Sequence, residues 1–147
     1  VQHAEQRIVS NYTISWSLYI QCSTKPKLLK DHWPQISACW DVPPSIREIP
    51  KRANDTGPFH VFATSDFQAD DYRQAMVNCL EQAFRLSEFW TVSAPELGCD
   101  GQLASFVGSF ESKVKGRSPV KSVEFMLFRT GSQELLEGGI AMRVLDT

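Results

Sequence analysis

The most constraining feature of the chain is a run of strict alternation near its start. In NYTISWSLYIQC, residues 11 to 22, Tyr12, Ile14, Trp16, Leu18, Ile20 and Cys22 alternate with mostly polar neighbours, and Ile8 extends the apolar set backwards. A period of two over almost fifteen residues predicts a long strand with one buried face. It also fixes register, because a slip of one residue would turn Trp16 and Ile20 towards water. Such a strand needs a cover for one side and leaves the other side, rich in Ser, Thr and Asn, for solvent or a partner.

The cover is expected from SDFQADDYRQAMVNCLEQAFRLSEFW. Ser65 and Gln68 have the spacing of a capping box, and Asp66, Asp70 and Asp71 crowd the start, where the helix dipole favours negative charge. Tyr72, Met76, Cys79, Leu80, Ala83 and Phe84 recur at helical spacing. This predicts one long helix over about 65–90. HVFAT, residues 60 to 64, reads as a short strand before it. After Trp90 the period returns to two. QLASFVGSFESKV is a strand with Ala104, Phe106, Gly108 and Phe110 on one face. VKSVEFMLFRT is apolar on both faces, as suits a central strand. TGSQ is a hairpin turn. ELLEGGIAMRVL returns with Leu136, Ile140, Met142 and Val144 on one side, and Gly138-Gly139 marks a bulge. The fold class is therefore α+β: one antiparallel sheet of about four to five strands, with one long helix packed on one face. At 147 residues the chain 1–147 reads as a single domain.

Residues 23 to 58 interrupt this pattern. Pro26, Pro34, Pro43, Pro44, Pro50 and Pro58 lie here and disfavour long regular structure, apart from a helical turn around Lys27 to His32. Long loops inside compact domains often carry function. This one holds Trp33, Trp40 and Ile46 among Lys25, Lys27, Lys30, Arg47, Lys51 and Arg52. Aromatic residues beside cations have the composition of recognition surfaces. Lys30, His32, Trp33, Trp40 and Arg47 are the candidate binding residues; the competing reading makes the tryptophans plugs for the open end of the core.

Recognisable catalytic chemistry is scarce. His3, His32 and His60 have no Cys, His or carboxylate at metal-ligand spacing, so no metal and no cofactor is expected. The serines lack a nucleophile-elbow context. The acids near 66–71 are accounted for by the helix start. Net charge is −2, and the basic run KVKGRSPVK, residues 113 to 121, lacks interleaved aromatics. Nucleic acid is not an expected partner. No apolar run approaches a membrane span, and VQHAEQR has no signal-peptide core. Cys22, Cys39, Cys79 and Cys99 allow two structural disulfides with three pairings, or buried free thiols. Two N-x-T triplets, at Asn11 and Asn54, are compatible with secretion.

From SDFQADDYRQAMVNCLEQAFRLSEFWTV through DGQLASFVGSFESKV and the closing hairpin, the order of elements resembles that of small bacterial outer-membrane and periplasmic lipoproteins. In that group a helix packs on an antiparallel sheet. The likeness covers about 85 residues; the 23–58 segment, the four cysteines and the lack of a lipid-bearing cysteine in this chain depart from it. It implies a periplasmic or secreted accessory to envelope assembly or transport, with peripheral membrane attachment through an N-terminal anchor this chain does not contain. A cytoplasmic address is the alternative.

Three functions are therefore expected in order. The first is a non-enzymatic extracytoplasmic module that engages a protein partner through a sheet face or edge and the Pro-rich loop. The second is a carrier of a small apolar ligand, with a cavity lined by Trp16, Phe84, Phe106, Phe110 and Met126. The third is a small hydrolase or thiol enzyme whose site is assembled only in three dimensions.

Overall fold

The computed structural model describes residues 9–112 and 119–130. The closing turn TGSQ beyond Thr130, the return strand ELLEGGIAMRVL, most of the basic run at 113–121 and the tail bearing His3 lie outside the described residues.

The alternating run forms β1 (Ser10–Ile20), and its even-numbered side chains from Tyr12 to Ile20 are buried. β1 is central. It pairs antiparallel with β3 (Phe59–Ala69) along its whole length, and on its other side with β7 (Val120–Arg129) from Tyr12 to Ile20. β2 (Ser45–Glu48) extends the sheet beyond β3. β6 (Leu103–Glu111) extends it beyond β7, followed by the two-residue strands β4 (Thr91–Val92) and β5 (Glu96–Leu97). The order is β2-β3-β1-β7-β6-β4, with β5 also on β6 and all pairs antiparallel. β7 is flanked by β1 and β6, in agreement with its two apolar faces.

The class is α+β with an antiparallel sheet, but among the described residues the sheet has seven strands rather than four or five. The three additional strands, β2, β4 and β5, are too short for a period to show. The long helix over 65–90 is also corrected. α3 spans Tyr72–Phe84, and residues 65 to 69 complete β3. Its cap is Asp71, whose Oδ1 accepts the Gln74 N–H at 2.9 Å, in place of Ser65. Ser65 instead pairs with Ile14 and accepts the Trp16 Nε1 proton at 3.1 Å. The eleven residues of β1 demand a partner of equal length, and in FHVFATSDFQA the inward positions Phe59, Val61, Ala63 and Ala69 are buried, with Ser65 and Phe67 half-buried between them. Sheet pairing thus overrides a local helix signal.

α3 buries Ala75, Cys79 and Ala83, while Phe84 is exposed. Trp90 ties its end to the sheet. The indole N–H is shared by the Ala83 and Ser87 carbonyls, and the ring lies against Phe110 and Phe125. The cover is completed by the Pro-rich segment, which is more ordered than a loop. α1 (Lys25–Lys27), a π-helical turn (Leu28–His32) and α2 (Trp33–Ser37) run on continuously. Pro26 and Pro34 sit in the first turns of the α-helical pieces, where a missing donor costs little. Leu28, Ile36 and Trp40 join the core. Trp40 packs 5.1 Å from Trp16, and Trp16 meets Phe125 edge-on.

Gly108 is dictated by this packing. It faces Phe125 across the β6–β7 pair, and a Cβ there would come within 2.5 Å of that ring. The absent side chain makes room for the aromatic one.

The expected apolar cavity is not assembled as foreseen. Trp16, Phe106 and Phe125 fill the centre, Phe84 faces outward, and Met126 pairs with Ser15 and Val107 on the opposite side of the sheet. Of the two readings open for the cysteines, disulfides are not formed: Cys22, Cys39, Cys79 and Cys99 are all free, the first and third buried and the other two exposed.

Candidate functional site

With helices on one side, the odd-numbered side chains of β1 mark the other face. Antiparallel pairing sets Thr13 beside Asp66, Ser15 beside Thr64, Ser17 beside Phe62 and Tyr19 beside His60. On the β7 side the same residues meet Phe128, Met126, Glu124 and Ser122.

Three groups organise this face. Ser17 Oγ and His60 Nε2 share a hydrogen bond. The imidazole is stacked on Tyr19 at 4.1 Å and tilted against Phe62 at 3.9 Å, so it stands between two rings. Burial by these neighbours lowers the His60 pKa from 6.5, which favours the neutral ring. Towards the β2 edge, Arg47 Nε donates to Thr64 Oγ1 at 2.7 Å while its side chain stays exposed. At the far end Thr13 Oγ1 donates to Asp66 Oδ1 at 2.7 Å and bonds Thr130 Oγ1 at 2.8 Å. Thr13 and Phe128 are buried there, so the accessible part centres on Ser17, Tyr19, His60 and Phe62, with Arg47 and Glu124 exposed at its sides.

A serine hydrogen-bonded to a neutral imidazole has the composition of a nucleophile and base. Its surroundings oppose that role. Ser17 lies in the middle of a central strand whose amides are committed to β3 and β7, leaving no adjacent pair of N–H groups to hold an oxyanion. The bond fixes the ring instead. Among the described residues no group of three or more His, Cys, Asp and Glu side chains is placed to hold a metal ion. No helix of the described residues is long and apolar enough to cross a membrane.

The residues singled out from the sequence are divided by the sheet. Trp40 is 4% exposed, in the core beneath α2; Trp33 is half-buried and 6.4 Å from it. Lys30 is exposed and His32 half-buried on the same helical segment. Arg47 alone reaches the other face, through β2. Of the five, the two tryptophans are brought together. Tyr19, His60 and Phe62 were not picked out by sequence reasoning. The signal was present: the outward positions of β1 and β3 include three aromatic rings where a solvated face needs none.

Set against known proteins, the chain matches no described family, no characterised protein and no solved structure.

Proposed function

We propose that the protein is a non-enzymatic binding module that holds a protein partner against the face of its sheet opposite α3 and the 25–37 helical segment. The observation that carries this reading is the fixed cluster of Tyr19, His60 and Phe62, pinned by Ser17 and flanked by Arg47 and Glu124. Ordered aromatic rings with a neighbouring arginine are the residue types that dominate binding energy at interfaces. Their order before binding reduces the entropy lost on association.

A photo-crosslinking residue placed at Phe62, in the cells that make the protein, tests the reading. One discrete protein adduct is expected, reduced about tenfold or more by His60→Ala or Arg47→Glu, as loss of an interface hot spot predicts. The same probe at Val77, exposed on α3, is expected to give no such adduct. Equal adducts at both positions, or none at Phe62, overturn it.

A further inference from the structure

We propose that an open cleft at the Ile20 end of the β1–β3 pair binds a small amphipathic anion, an apolar body carrying one carboxylate or phosphate. The inference is independent of the sheet face opposite the helices. The cleft has a volume of about 490 Å³ between the start of α1 and the chain leading into β3, within the range of small-molecule sites. Lys25, Lys51 and Arg52 line it, against one carboxylate, Asp55.

Arg52 is built in. Nη1 donates to the carbonyls of Cys22 and Gly57 at 3.1 and 3.3 Å, and Nη2 to that of Ser23 at 3.1 Å. The guanidinium also lies 4.2 Å over the Phe59 ring. These partners fix the group without neutralising it. Among the described residues neither lysine nor Arg52 has an ion-pair partner. The excess of cations gives the cleft a positive potential, and the planar arginine is already ordered for an anion. Ile49 and the buried Phe59 supply apolar wall beside the charges. Cations alone would suit inorganic phosphate; cations on an apolar wall suit a head joined to a hydrocarbon or aromatic body.

Titration calorimetry with hexyl phosphate tests this. Saturable one-to-one binding is expected, about tenfold or more weaker for inorganic phosphate and for hexanol. The double variant Lys25→Glu/Lys51→Glu is expected to weaken hexyl phosphate about tenfold or more with an unchanged melting temperature, because both side chains are exposed. Arg52 is left in place because it holds three carbonyls. The head could come from a lipid or from a soluble molecule. Sedimentation with phosphatidylcholine vesicles containing phosphatidic acid, lost in the double variant, supports the site with a lipid source. Hexyl phosphate binding without sedimentation supports it with a soluble source. Hexanol binding as tightly as hexyl phosphate, a double variant that binds unchanged, or no binding at all overturns the proposal.

Discussion

His60 shows how one residue joins stability to surface chemistry. Its ring stands between Tyr19 and Phe62 and bonds Ser17, and burial favours the neutral form. The folded pKa is below the unfolded value of 6.5, so acid drives protons preferentially onto the unfolded chain. The contribution is fully present above the unfolded pKa and is lost as pH falls through the lowered folded value. Chemical denaturation at pH 7.5 and 5.5 checks this: the wild-type midpoint is expected to fall between the two, and His60→Gln to show a smaller drop. A variant with the same drop would show that the ring contributes nothing to the pH dependence. Residue identity was legible at this scale only in part. The outward position of His60 could be read from alternation in HVFAT, whereas the contact with Tyr19 depends on β1–β3 register, which joins residues about 40 apart.

At the scale of elements, β1 was legible because its alternation is long and unbroken. The end of β3 was not, because Ser65, Asp66 and Gln68 imitate a helix start, while in the strand Asp66 and Gln68 take outward positions and Ser65, on the covered face, accepts the Trp16 indole proton. The two assignments differ in their consequences for mutation. Asp71→Ala removes the observed cap of α3 and is expected to cost about 1 kcal/mol, lowering the melting temperature by roughly 3 °C. Gln68→Ala, costly if residues 65–68 capped the helix, is expected to stay within about 0.5 kcal/mol because the side chain is an exposed strand position. Thermal unfolding followed by circular dichroism measures both. The reverse ranking would restore the earlier helix start. The ordering of 25–37 was hidden for a different reason: six prolines argue for a loop, yet two of them occupy first-turn positions where a helix tolerates them.

At the scale of the whole molecule, the choice between disulfides and free thiols was open in the sequence because spacing carries no pairing information. The structure places Cys22 and Cys79 in the core and Cys39 and Cys99 at the surface, all unpaired. Burial pushes the Cys79 thiol far up from its usual pKa, which removes its nucleophilic form. An aromatic disulfide reagent is expected to titrate two thiols quickly in the native protein and all four in denaturant. Fewer than four in unreduced, denatured protein would show a disulfide. The layered arrangement itself, a sheet with the helices of the described residues on one side, followed from β1; the number of strands and the sharing of the cover between α3 and the 25–37 segment depended on contacts distant in sequence. The position of β1 also bears on how the molecule is made. The strand leaves the ribosome before both of its neighbours, β3 and β7, and Thr13 and Thr130, which bond each other, lie 117 residues apart. At the usual pace of synthesis that separation corresponds to roughly 6–23 s. Throughout that interval a greasy ribbon waits for its second neighbour, so nascent chains stalled before β7 are the form in which chaperone dependence and aggregation should concentrate.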